Sequence, residues 1–257
     1  MPPIEAPSED FLQNAVADST LDTPTSHLRR HMFLSPDQCE QICEGVLTLR
    51  DHWIRRQDAF PFYTLGVPSY LDASHAAFEQ YQLKARRTNP ILLERFEELY
   101  NQLVAVLSEL THNRCFYDAA LSYPGFHIFH GDGIAQTTAS RHCDLQAENI
   151  RWDGYQVDLN RQISFTLVLR LPSSGSGLYV WNIDNRVLAG LGTDERRQYL
   201  HERSTPSYHR YEVGALVVHN GHYLHQIARI RNMHLGDQRI TLQGHAVFTH
   251  RGWVLYW

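Results

Sequence analysis

The change of texture at Cys115 constrains this chain more than any other feature. Beyond it lie short β-rich runs separated by Gly, Pro, Asn and Asp: Gly125–Phe129, Ile163–Leu171, Gly177–Trp181, Ala215–His219, His225–Arg231, Arg239–Phe248 and Trp253–Trp257. Short runs punctuated in this way predict the strands of a sandwich or barrel. Before Cys115 the pattern is helical. Ser35-Pro36-Asp37-Gln38 reads as a capping box with proline at the first helical position, and predicts a helix to about Arg55. Asn89-Pro90 repeats the device. It predicts a longer helix with Ile91, Leu92, Phe96, Leu99, Leu103, Val106, Leu107 and Leu110 at helical spacing. Helices followed by strands fit one α+β domain, with the helices packed against a β-sandwich. Residues 1–27, rich in Pro, Ser, Thr and Asp, predict a flexible arm ahead of a single domain over 28–257.

Composition narrows the function. A net charge of −5 argues against nonspecific nucleic-acid binding, which needs a basic surface. No apolar run is long enough for a membrane span. Met1 to Asn14 lacks the basic and apolar regions of a secretory signal. Four cysteines in 257 residues, with no C-x-x-C, predict a reduced, cytoplasmic protein. The 16 histidines are the unusual count.

Two His-x-Asp triplets occur, His130-Gly131-Asp132 and His142-Cys143-Asp144. In so histidine-rich a chain a triplet alone carries little signal; its value depends on the residues further along the chain. Downstream, the strand Gly214–His219 leads through a turn to His225, and a returning strand carries Arg239 and Thr241 on one face. His142 and Asp144 with His225 make a 2-His-1-carboxylate set, which holds Fe(II) and leaves positions open. Glycine on both sides of Asp132 makes the first triplet look like a tight turn, so His142/Asp144 is preferred as the pair. His219 and His222 share the spacing of His225 and stay open as alternatives. An arginine such as Arg239 can fork onto a carboxylate.

These residues, in this order, resemble the Fe(II)/2-oxoglutarate-dependent oxygenases. Arg239 follows His225 by fourteen residues, close to that family's spacing. The resemblance spans roughly Tyr123 to Phe248. It implies a double-stranded β-helix (jelly-roll) core flanked by the N-terminal helices. It implies Fe(II) on His142, Asp144 and His225, with 2-oxoglutarate as cosubstrate and O2 as oxidant. Arg239 and Thr241 would hold the far carboxylate of the cosubstrate, and Tyr123 could hydrogen-bond it. Related halogenases have Gly or Ala in place of the carboxylate that Asp144 supplies here, so hydroxylation is expected. Pro124–Phe129 and His142–Gln146 are similar to small bacterial amino-acid hydroxylases and halogenases. That implies a small-molecule substrate, an amino acid or amino-acid-derived metabolite of natural-product biosynthesis, with no nucleic-acid or membrane partner. The Arg-x5-Arg pattern of nucleic-acid demethylases fails, because His245 stands six residues after Arg239. His127 and Asn220 could face the site, and the aromatic segment Phe60–Leu71 could form a lid. For Trp181, Trp253 and Cys143, core packing is the simpler expectation.

Overall fold

The computed structural model describes residues 28–58, 61–74, 76–130, 140–228, 234 and 236–257. The predicted arm (1–27), Asp132, Phe60 and Arg229–Arg231 lie outside the described residues. In chain order the elements are strand β1 (Leu28–Met32), helix α1 (Pro36–Thr48), β2 (Ile54–Arg55), β3 (Phe62–Leu65), α2 (Ser69–Asp72), α3 (Phe78–Thr111), β4 (Cys115–Tyr117), β5 (Gly125–His130), β6 (Val157–Arg170), β7 (Gly177–Asp184), α4 (Asn185–Gly190), α5 (Thr193–Glu202), β8 (Ser207–Arg210), β9 (Ala215–Asn220), β10 (Tyr223–Ile227), β11 (Gln238–Thr249) and β12 (Gly252–Tyr256).

Local chemistry accounts for the helix boundaries. At α1 the Gln38 amide N–H donates to Ser35 Oγ at 3.3 Å, and the Ser35 N–H donates to Gln38 Oε1 at 2.9 Å, the reciprocal pair of a capping box. The helix stops at Thr48, short of the predicted Arg55. The Trp53 indole N–H donates to the Val46 carbonyl at 3.0 Å and satisfies a helix-end acceptor, and the chain then turns into β2. Asn89-Pro90 does not open a helix; α3 begins at Phe78 and runs through it. The Asn89 side chain reaches outward. It donates to the Leu121 carbonyl at 2.8 Å and accepts from the Tyr123 N–H at 3.0 Å, pinning the approach to β5. Pro90 removes one helical N–H, and separately the helix kinks at Phe96 (φ −128°, ψ 23°).

The strands form a nine-stranded sheet, ordered β1-β9-β6-β11-β5-β3-β2 with β12 and β4 attached to β11, and a three-stranded sheet ordered β10-β7-β8. All pairings are antiparallel except β12 with β4. Strand alternation divides the work of the large sheet. Phe126 and Ile128 of β5, Leu167 of β6, and Ile240 and Leu242 of β11 join Cys39, Val46, Phe96, Leu103 and Leu107 of α1 and α3 in one buried cluster. The intervening residues His127, Phe129, Arg239, Gln243 and His245 line a cavity whose other wall includes Leu178 of β7 and His225 and Ile227 of β10. One face of the sheet is thus core, and the other carries the polar groups of the site. Among the described residues no helix is long and apolar enough to cross a membrane.

Candidate metal centre

His142, Asp144 and His225 present donor atoms within 4.8 Å of one another. Backbone pairing holds them there. The His142 N–H donates to the His225 carbonyl at 3.0 Å, and the His225 N–H returns a bond to His142 at 2.9 Å, so two imidazoles ride on one antiparallel bridge. The Asp144 N–H donates to the Gly221 carbonyl at 2.8 Å, tying the carboxylate to the β9–β10 turn. The donor atoms converge on Asp144: His225 Nε2 lies 3.3 Å from Oδ2 and His142 Nε2 lies 3.6 Å from Oδ1. Each imidazole bonds a backbone carbonyl through Nδ1, His142 to Ser140 at 2.8 Å and His225 to Tyr223 at 2.9 Å. Those bonds place a proton on Nδ1 and make Nε2 the nitrogen that faces the carboxylate and would face a metal. Gln146 Nε2 donates to Asp144 Oδ1 at 3.1 Å and fixes the carboxylate plane.

The three groups are electrostatically coupled. Burial alone would raise the Asp144 pKa, but His225, with help from His245 and His142, holds it well below the usual carboxylate range. Burial would lower the His225 pKa, and the Asp144 carboxylate overrides that and raises it above 6.5. Burial lowers the pKa of His142, with His225 adding to the effect. A metal must displace the proton from His225 Nε2, and that proton is held at higher pH than on an ordinary histidine. Metal affinity therefore falls as pH drops, with onset above pH 6.5 and a slope of about tenfold per pH unit below the His225 pKa. Competition with a metallochromic chelator between about pH 8 and about pH 6 reads this directly; a flat profile would contradict the assignment.

Gly221 shows how closely the turn and the carboxylate segment pack. A Cβ there would lie 2.7 Å from the Asp144 carbonyl oxygen and 3.4 Å from Asp144 Cβ. Gly221→Ala is expected to shift Asp144 and weaken metal binding about tenfold, the scale of a disturbed supporting contact. Isothermal titration with the divalent ion tests it.

Across the cavity stands Arg239, 1% exposed, and its Nε and Nη2 have no hydrogen-bond partner. Its guanidinium lies near Phe129 (5.5 Å) and Tyr211 (5.8 Å), and no carboxylate among the described residues pairs with it. Thr241, buried two residues on and opposite His127 of β5, also has an unpartnered Oγ1. Arg239 lines the cavity and its free donors fit an incoming carboxylate, whereas Thr241 is fully buried and is not among the lining residues. The cavity has a volume of about 740 Å³.

The other candidates fall out differently. Tyr123 does not line the cavity: its ring stacks on Tyr117 at 4.6 Å and meets Tyr100 edge-on at 5.5 Å, while Tyr211 is the tyrosine beside Arg239. His130 sits at the end of β5 one residue out of phase with Phe129, against Trp53 (5.6 Å) and Tyr63 (5.9 Å), away from the triad. His222 Nε2 bonds the Leu159 carbonyl at 2.9 Å and stays outside the site. Asn220 accepts from the His222 N–H at 3.0 Å and shapes the turn. His127 does line the cavity, bonded through Nε2 to the Tyr70 hydroxyl at 2.6 Å. Phe62, Tyr70 and Leu71 of the aromatic segment also line it, carried on β3 and α2. Trp181 and Trp253 fill buried clusters. Cys143 packs against the cluster around Trp181 and also touches the cavity wall. His245, bonded to Ser164 Oγ at 3.0 Å, is a cavity residue that the motif does not single out. Its signal is in the sequence all the same: Arg239, Thr241, Gln243 and His245 share one strand face at a period of two.

No family model matches the chain. No curated protein matches its sequence. Solved structures do. An N-substituted L-amino acid dioxygenase from Burkholderia ambifaria AMMD superposes with a TM-score of 0.51 at 12% identity, covering 90% of this chain and 86% of that one. The non-heme α-ketoglutarate-dependent epimerase SnoN from nogalamycin biosynthesis superposes with a TM-score of 0.52 at 10% identity, covering 86% and 80%. The chain thus shares its fold with an amino acid dioxygenase and with a non-heme epimerase that depends on α-ketoglutarate, that is, 2-oxoglutarate.

Proposed function

We propose that the protein is an Fe(II)- and 2-oxoglutarate-dependent dioxygenase that hydroxylates an unactivated C–H bond of a small molecule, releasing succinate and CO2. One observation carries the reading: the buried Arg239, with two nitrogens lacking a partner, and the His142/Asp144/His225 set face the same cavity. We read the two facing sheets as a double-stranded β-helix and residues 28–257 as one catalytic unit.

The donor set fits Fe(II): two neutral imidazoles and one carboxylate leave positions for a chelating keto acid and O2. Iron with the keto acid and O2 supplies the oxidising chemistry; this chain supplies binding, orientation and exclusion of water. His142, Asp144 and His225 would hold the ion. Arg239 would take the distal carboxylate of 2-oxoglutarate, which satisfies guanidinium donors otherwise left unmade in the wall, with Thr241 buried two residues further along the strand. Phe62 stacked on Phe129 at 4.5 Å, with Leu71, Leu178 and Ile227, keeps the reaction volume apolar. Retention of the Asp144 carboxylate favours hydroxyl transfer over halogenation.

The cavity suits a small molecule. An amino acid or amino-acid-derived metabolite is the substrate class we favour, supported by the sequence resemblance and by the substrate class named for the Burkholderia dioxygenase. The nogalamycin enzyme supports a role in natural-product biosynthesis. Four free cysteines support a reducing, cytoplasmic setting. The test is an anaerobic titration with Fe(II) and then 2-oxoglutarate. A weak visible charge-transfer band saturating at one equivalent is expected. Iron binding with no band would point to a metalloprotein that does not use the keto acid.

A further inference from the structure

Tyr70 of α2 and His127 of β5 line the cavity and take no part in the triad or its hydrogen bonds. Tyr70 is 38% exposed, so it stands where the cavity meets solvent, yet its hydroxyl reaches inward to His127, which is 5% exposed. The short helix that carries Tyr70 is clamped from outside. Asp72 pairs with Arg56 at 2.7 Å and with Lys84 of α3 at 2.6 Å, and Arg56 Nε donates to Thr64 Oγ1 of β3 at 2.8 Å. The phenol is thus fixed in place before any substrate arrives.

The length of the Tyr70–His127 bond gives its direction. Oxygen and Nε2 are 2.6 Å apart. That is shorter than the roughly 2.7–3.2 Å of N–H···O bonds and within the roughly 2.5–3.0 Å typical of hydroxyl donors. Burial raises the Tyr70 pKa, so the phenol keeps its proton. Burial, with Arg239 and Arg56 adding to it, lowers the His127 pKa well below 6.5, so the imidazole is neutral and Nε2 is free to accept. His127 Nδ1 has no partner in either tautomer and does not bear on the choice. Tyr70 therefore spends its proton on His127, and its oxygen is left as an acceptor on the cavity wall.

The charges around that oxygen select what it can accept from. Among the described lining residues Asp144 is the one carboxylate, and the metal set claims it. Arg239 and Arg56 both act on His127 as cations. An ammonium group brought here would be buried without a counter-ion, whereas an uncharged donor needs none.

We propose that Tyr70 is a specificity-determining residue, whose oxygen accepts a hydrogen bond from an uncharged N–H or O–H of the substrate, and that His127 is the positioning residue that holds the phenol proton away from it. This rests on the reading of the cavity as that of a 2-oxoglutarate-dependent dioxygenase.

The test uses full-length protein loaded anaerobically with Fe(II) and saturating 2-oxoglutarate, and four probes that share one carbon skeleton: N-acetyl-L-leucine, L-leucic acid, L-leucine and isocaproic acid. Calorimetry is expected to show binding of the first two, which carry an uncharged N–H or O–H, and binding about tenfold or more weaker for the ammonium and for the probe with no donor. A preference for only one of the first two identifies which donor the site takes. Tyr70→Phe is expected to erase the preference. Nitrogen NMR of metal-free, histidine-labelled protein is the second measurement: His127 should carry its proton on Nδ1, and its Nε2 signal should move in Tyr70→Phe. Four equal affinities, tightest binding of L-leucine, or no binding by any probe would overturn the proposal. So would a proton on His127 Nε2, a result that needs no variant to fold. Loss of the charge-transfer band in wild type would instead remove the dioxygenase reading itself, so the two failures are distinct.

Discussion

Arg239→Met should make the cosubstrate-free protein more stable and at the same time nearly abolish its response to 2-oxoglutarate. Both effects have one geometric origin. The guanidinium is fully buried, two of its nitrogens have no partner, and burial lowers its pKa from the usual arginine range. A buried charge without a partner is destabilising, and an apolar residue of similar length relieves it. The gain is expected at about 1–3 kcal/mol, or several degrees in Tm for a chain of this size. Bound 2-oxoglutarate would instead turn those donors into a forked, charge-assisted pair. Removing one partner of such a pair costs about 2–5 kcal/mol, so the KM for 2-oxoglutarate should rise by roughly 10² to 10³. Thermal melts with and without 2-oxoglutarate separate the two effects. A variant that melts lower and keeps its cosubstrate shift would show that Arg239 is a structural cation instead.

Asp144→Ala should lower Fe(II) affinity by about 10²-fold or more and remove nearly all hydroxylation. Asp144 is the anion on which both triad imidazoles converge, at 3.3 and 3.6 Å. Losing a direct ligand costs at least what losing an outer-shell partner costs. Without the carboxylate, His225 also loses the cause of its raised pKa, so it should titrate lower, as a buried imidazole does. Metal titration, and succinate release at saturating iron, provide the check. Full activity in this variant would move the carboxylate ligand elsewhere, Asp132 being the nearest sequence alternative.

How much of the fold and the site is legible in the sequence depends on the kind of information each feature carries. The strands that build the site are readable because alternation is local: Gly125–Phe129, Ala215–His219 and Arg239–Phe248 all lie within observed strands. Helix starts are less so. Ser35-Pro36 does open a helix, but Asn89-Pro90 has the same local chemistry and sits inside one, because tertiary bonds from Asn89 to the β5 approach outweigh its capping preference. Strands β1, β3 and β8 carry no such signal. They are short, and they exist because β9, β5 and β7 offer them edges, which no local pattern announces. At the site, His142, Asp144, His225 and Arg239 share a cavity as the motif implies. Tyr123 is near the site in sequence only, and its ring goes to the Tyr100/Tyr117 cluster instead. His219 and His245 reach the centre from strands β9 and β11, and only the sheet register brings them together.

The reciprocal backbone bonds between His142 and His225 also bear on how the site comes into being. They close a loop that contains β6, β7, β8 and β9, and such closure is entropically costly until the intervening strands have paired. Contacts this distant in sequence form slowly and late. Tight metal binding is therefore expected only after most of the sheet has assembled, and its appearance during refolding would mark the arrival of the native topology.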